Sequence, residues 1–181
     1  MKTHAKVAII GGGIMGVSLL YHLTKEGWKD LVLIEKGELT SGSTWHAAGQ
    51  CPQMMGSYNL AKVHLHSTNL YKKLEKETGQ STGWHGCGSL RLAYKQEDLD
   101  WFRYVKGILD NVGAPAEIIS TNEIKKIHPF IKLDGIIGAF HTPEDGHTDP
   151  TSTTNSMACL LYTSPSPRDA TLSRMPSWGW K

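Results

Sequence analysis

Cysteine is scarce: three residues in 181. Cys51, Cys87 and Cys159 form no C-x-x-C pair and no metal-ligand spacing, so reduced thiols in a cytosolic-type compartment are expected, and no metal site. Long apolar runs are missing too. No stretch approaches the roughly 18–20 residues of a membrane span. The first apolar stretch, Val7 to Ile10, runs straight into glycines and is not a signal peptide. Charge of one sign is not concentrated. The formal net charge is +2, and Lys and Arg are spread along the chain, which argues against a nucleic-acid partner. The lack of a basic leader fits a bacterial cytoplasm better than a mitochondrial matrix, although a mature mitochondrial protein without its leader would look similar.

What is present is ordinary globular composition, 39% hydrophobic and 20% charged, enough for one modest domain. Lys6-Val7-Ala8-Ile9-Ile10 reads as a short buried strand stopped by glycine. Residues 14–25 read as a helix with Ile14, Val17, Leu20 and Tyr21 on one face, ended by Gly27. Leu31-Val32-Leu33-Ile34 is a second buried strand, ending at Glu35. This is the opening βαβ unit of a doubly wound sheet. Residues 36–58 show no helical pattern and are rich in Gly, Ser, Thr and His. A helix over 59–78 can place Leu60, Val63, Leu70 and Leu74 on its core face. Further on, the pattern predicts a strand at 89–94, a helix at 96–112 closed by Gly113, and a strand at 117–119. A helix follows at 122–127, capped by Ser120 or Thr121, then a strand at 136–141 and a helix from about Pro150.

Gly11-Gly12-Gly13-Ile14-Met15-Gly16 fits G-x-G-x-x-G. Gly11 permits the tight turn, Gly13 lets backbone approach a pyrophosphate, and Gly16 allows close helix–strand packing. The pyrophosphate then sits on free N–H groups at the helix start, where the helix dipole favours negative charge. The motif follows a strand and opens a helix, the context that gives it meaning. Glu35, nineteen positions after Gly16, can accept hydrogen bonds from ribose hydroxyls. The motif alone does not choose between NAD and FAD. The small, polar segment 37–49 favours a longer cofactor, because it can wrap one and offer hydroxyls and amides.

The end of the chain breaks the pattern. Residues 159–169, CLLYTSPSPRD, match a translated transposon-based sequencing-library adapter, and SRMPS at 173–177 resembles its outer end. Residues 159–181 are therefore expected to lie outside the fold, with the natural protein continuing past Ala158.

The strings GGGIMGVSLLYHL, LIEKGELTSGSTWHAAG, HLHSTNLYKKLEKETGQ, TGWHGCGSLRLA and PEDGHTDP resemble the N-terminal half of the dimethylglycine/sarcosine dehydrogenase family, within the D-amino-acid-oxidase-like flavoproteins. The resemblance runs from Val7 to about Ala158, and STWHAAG is its most particular motif. It implies an α/β fold: a Rossmann-like FAD-binding domain of glutathione-reductase type with part of an inserted substrate-binding sheet, truncated. The implied division is 1–80 for the first FAD-binding part, 81–145 for part of the sheet domain, and 146–158 for the return. It also implies FAD attached covalently at His46. The implied cofactor-binding set is Gly11, Gly13, Ile14, Met15, Gly16, Glu35, Lys36, Thr40, Ser41, Ser43, Thr44, His46, Ala48 and Gly49. The implied reaction is oxidation of an N-methyl amino acid, dimethylglycine or sarcosine, by hydride transfer from the N-methyl carbon to flavin. An electron-transfer flavoprotein and folate are implied partners of the parent protein. This chain by itself is expected to be inactive.

Other readings stay open: a glycine/sarcosine-oxidase-type flavoenzyme, a non-catalytic nucleotide-binding subunit, or a mere fragment. No acid, base or substrate clamp stands out as catalytic. His64 and His66, two apart, do not share a helix face. His85 and Cys87 lack two further metal ligands. In the segment of Asp145, His147 and Asp149, helix initiation at Asp149-Pro150 and loop ordering are expected ahead of catalysis.

Overall fold

The computed structural model describes residues 4–163 and 170–174. In chain order the elements are β1 (Val7–Ile10), α1 (Ile14–Lys25), β2 (Leu31–Glu35), β3 (Gln50–Cys51), α2 (Tyr58–Thr78), β4 (Ser89–Ala93), α3 (Gln96–Val112), β5 (Glu117–Ile119), α4 (Thr121–Ile127), β6 (Gly138–Thr142), β7 (Gly146–His147), α5 (Pro150–Thr163) and β8 (Ala170–Arg174). They form two compact units. The first holds the chain up to Gly49, Lys73–Gly83, and everything from Thr148 onward; the second holds Gln50–Lys72 and Trp84–His147. The expected 1–80 segment is thus interrupted. Residues 50–72 join the second unit because β3 pairs with β7 and Ala61 packs in that unit's core.

In the first unit β1, β2 and β8 form a parallel sheet in that order. Val7 and Ile9 stand opposite Leu31 and Leu33, and Ile9, Leu31 and Leu33 are buried. α1 buries Val17, Leu20 and Tyr21 and lies against α5, which buries Met157 and Ala158. Both strands were expected to be buried, but the opposite face is open: Ala8 is exposed and Ile10 is 87% exposed. A doubly wound sheet needs a layer on each face, and among the described residues one face of β1 goes uncovered. The chain end also departs from expectation. α5 runs past Cys159 to Thr163, and residues 170–174 pair in parallel with β2. A strand edge presents unpaired N–H and C=O groups, and an extended segment arriving after α5 satisfies them. The rest of the adapter-like stretch, 164–169 and 175–181, lies outside the described residues.

The second unit is built on an antiparallel sheet in the order β4-β6-β5. Alternation along β6 sends Phe140 to one face, with Phe102, Val105 and Leu109 of α3, and Ala139 to the other, with Ile119 and Ile124. The α4 start follows its sequence: the Ser120 hydroxyl accepts the Glu123 N–H while the Glu123 carboxylate accepts the Ser120 N–H, a reciprocal capping box. α2 buries Leu74 as predicted but departs from its predicted face in its first half. The buried positions are Ala61, Thr68 and Leu74, whereas Leu60 and Val63 are 53% and 60% exposed. Shifting the stripe by one residue rotates it by about 100° on a helix. Among the described residues no helix is long and apolar enough to cross a membrane.

Candidate functional site

The site grows from the turn between β1 and α1. Gly11 adopts φ +109°, a conformation open in practice only to glycine, and its N–H donates to the Ile34 carbonyl, tying the turn to β2. A Cβ on Gly16 would strike the Gly11 carbonyl, so α1 starts as close to β1 as backbone allows. Gly13 occupies the N-cap position of α1 and offers no side chain there; instead the Thr44 hydroxyl accepts the Ile14 N–H at 3.0 Å from thirty residues away. Met15, in the first turn, is 82% exposed.

Glu35 is the electrostatic centre. Its Oε2 accepts the Gly12 N–H at 2.5 Å, and its Oε1 accepts the Gly37 N–H at 2.8 Å. These backbone hydrogen bonds, Gly12's above all, hold the carboxyl below its ordinary value against the opposing effect of burial, and the Lys36 charge helps. Each oxygen of an ionised carboxylate has two lone pairs, so each retains capacity for a hydroxyl donor. A second negative charge beside it is disfavoured.

The loop after β2 folds back over the turn. The Thr40 N–H donates to the Gly12 carbonyl, and the Leu39 side chain lies where a Cβ on Gly12 would go. Thr40 is buried and holds φ +69°. For a β-branched residue this is strained by about 1–3 kcal/mol, maintained by its surroundings. Ser41 donates its hydroxyl to the Glu38 carbonyl. Ser43, Trp45, His46 and Ala48 are exposed. The His46 ring lies 4.1 Å from that of Trp45, and its Nδ1 is 3.0 Å from the Gly42 carbonyl oxygen. A carbonyl only accepts, so Nδ1 donates in this contact, and Nε2 is the ring nitrogen left outside it. Gly49 closes the loop by accepting the Thr148 N–H at 2.9 Å.

The structure therefore gathers Gly11, Gly13, Ile14, Glu35, Thr40 and Thr44 around one turn. Ser43, His46 and Ala48 stand on the loop's exposed side, and Gly49 is tied to the start of α5. Sequence reasoning missed Gly12, Gly37 and Leu39. The glycines contribute N–H groups, which every residue has, so only the folded turn shows where they point. Asp149-Pro150 does start α5, with the Asp149 carboxylate accepting the Ser152 N–H at 2.6 Å. Asp145, by contrast, is buried in the second unit, accepting the Gln53 N–H and the Ser89 and Thr142 hydroxyls.

This arrangement defines a dinucleotide-binding class of protein: a parallel βαβ unit whose glycine turn faces an ionised carboxylate at the end of the second strand. The family model described as "FAD dependent oxidoreductase" matches residues 6–162, and the chain belongs to that family. It is 45% identical to rat mitochondrial dimethylglycine dehydrogenase over 157 residues, 87% of this chain and 18% of that protein. It is 41% identical to the mouse mitochondrial pyruvate dehydrogenase phosphatase regulatory subunit over 145 residues, 80% of this chain and 16% of that protein. Among solved structures, the L-proline dehydrogenase of P. horikoshii superposes with a TM-score of 0.84 at 30% identity, covering 96% of this chain and 45% of that one. The chain spans less than a fifth of the length of these two curated relatives.

Proposed function

We infer that this chain is the nucleotide-binding part of an FAD-dependent amine oxidoreductase whose substrate is an N-methylated glycine, dimethylglycine or sarcosine. The carrying observation is Glu35, ionised and held by Gly12 and Gly37 with hydroxyl-accepting capacity left on both oxygens. A ribose diol fits it, whereas a 2′-phosphate is repelled. The cradle fits the cofactor as well. Gly11 and Gly13 leave backbone open to a pyrophosphate at the start of α1, which Gly16 lets lie close to β1, with Ile14 and Met15 in its first turn. Thr44, having accepted the Ile14 N–H, keeps a hydroxyl hydrogen to donate. Lys36, Thr40, Ser41, Ser43, Ala48 and Gly49 are the further residues proposed to contact the cofactor. Bound FAD supplies the two-electron acceptor for hydride loss from the N-methyl carbon; water then hydrolyses the resulting iminium to formaldehyde and the demethylated amine. The 45% identity to a dimethylglycine dehydrogenase supports that substrate class. His46 is the proposed covalent tether, through Nε2. An electron-transfer flavoprotein and folate are proposed partners of the whole protein, in a bacterial cytoplasm.

A second reading, a non-catalytic flavin-binding regulatory subunit, is favoured by the 41% identity to a phosphatase regulatory subunit. One experiment separates the two. The complete source reading frame is expressed, precipitated with acid, and the pellet inspected for flavin; the native protein is then mixed with sarcosine or dimethylglycine and assayed for flavin bleaching and formaldehyde. Flavin in the pellet, released by His46→Ala, together with formaldehyde supports the amine oxidoreductase. Bound flavin that neither bleaches nor turns over supports the regulatory subunit, and no flavin at all overturns both.

A further inference from the structure

The second unit places two histidines, 62 positions apart in sequence, side by side. His85 and His147 form an isolated antiparallel bridge and exchange both backbone hydrogen bonds, His85 N–H to the His147 carbonyl at 2.8 Å and His147 N–H to the His85 carbonyl at 3.0 Å. Residues directly opposite in such a pair project to the same face. On its other edge His147 pairs with Gln50 of β3, so Gln50, His147 and His85 form a row across three chain segments. All three are exposed. The opposite face is occupied: a Cβ on Gly146 would lie 2.8 Å from the Trp84 ring, and Trp84 in turn neighbours Tyr71. The row therefore rides on a backed, hydrogen-bonded ladder, its imidazoles toward solvent.

We propose that His85 and His147 form a two-imidazole site for a divalent transition-metal ion, with the Gln50 amide in the same row. Two imidazoles bound at about 2.1 Å to one tetrahedral ion hold their ring centres roughly 5 Å apart. The observed separation is 5.3 Å, with the rings inclined by 37°, a spacing at which side-chain rotation can bring one nitrogen of each ring onto a shared ion. Imidazole pairs suit Cu²⁺, Ni²⁺ and Zn²⁺, and Cu²⁺ binds tightest in that series. Among the described residues no third His, Cys, Asp or Glu joins the pair. Water completes the coordination sphere, which makes this an open, exchangeable site.

The test is a Cu²⁺ titration of the full 181-residue chain, followed by electron paramagnetic resonance and calorimetry. One ion with two nitrogen ligands is expected. Loss of a first ligand is at least as damaging as loss of an outer-shell partner, so His85→Asn and His147→Asn each weaken binding by about tenfold or more. His66→Asn, on α2, leaves that site intact. A two-nitrogen site unchanged by both substitutions, or no such site in the unaltered chain, overturns the proposal. If either variant loses its far-UV circular dichroism, histidine modification by diethyl pyrocarbonate decides in the unaltered chain. Cu²⁺ protection of both His85 and His147 supports the site; protection of fewer overturns it.

Discussion

At the scale of single residues, Glu35 ties electrostatics to stability. Its carboxyl is depressed chiefly by the Gly12 and Gly37 N–H groups. A depressed acid contributes stability that is fully present above its unfolded-state value, about 4.3 for Glu, and is lost as the pH falls through the folded one. Glu77 and Asp149 shift the same way, Glu77 through Lys25 and Asp149 through the Ser152 N–H. The acid limb of the whole chain therefore sums several groups, and a difference curve isolates Glu35. Thermal midpoints of the chain and of Glu35→Gln, measured from pH 7 to pH 3, are expected to differ most at neutral pH and to draw together as the pH falls below about 4.3. A constant difference across that range would mean that Gln fails for its shape and not for its charge.

At the scale of elements, α2 shows how far periodicity reaches. Its existence, its extent and the burial of Leu74 follow from sequence, but the face buried in its first half does not. Apolar residues at Leu60, Val63, Leu65, Leu70 and Leu74 cover more than one stripe, and the stripe that packs includes the small Ala61 and the polar Thr68. Leu74→Ala, at a fully buried site, is expected to cost about 2–5 kcal/mol. Leu60→Ala is expected to stay within about 0.5 kcal/mol. Denaturant unfolding of the two variants checks both, and equal costs would restore the predicted face. The same division runs through the rest of the molecule. β1, α1, β2, α3, β5 and α4 are legible because each is a local pattern bounded by glycine or a cap, such as Gly113 after α3 and Ser120 before α4. β3 and β7, two residues each, carry no local period and exist through their partners. The candidate site divides likewise. Gly11, Gly16 and Glu35 are legible by spacing, whereas the reach of Thr44 to Ile14 and the pairing of His85 with His147 are tertiary facts.

At the scale of the whole molecule the two units differ in how completely they are covered. The antiparallel sheet of the second unit has α3 on one face and α4 on the other, and its core residues are buried to within a few per cent. In the first unit, α1 covers the Ile9 and Leu33 side of the sheet, while Ala8 and Ile10 lie bare at the end of β1. Among the described residues nothing pairs with the outer edge of β1. An open strand edge carrying an exposed β-branched residue is a template for another chain, and Met15, 82% exposed in the adjoining first turn of α1, adds apolar surface nearby. The expected behaviour of the 181-residue chain is therefore concentration-dependent self-association through β1. Sedimentation velocity across a dilution series should show association that weakens on dilution. Ile10→Lys places a charge on that bare face and is expected to shift the chain toward monomer, leaving the second unit's far-UV signature unchanged. A monodisperse unaltered chain would mean that the edge is closed in solution. Association that Ile10→Lys does not reduce would place the contact elsewhere, with the exposed Leu60 and Val63 of α2 as the next surface to charge.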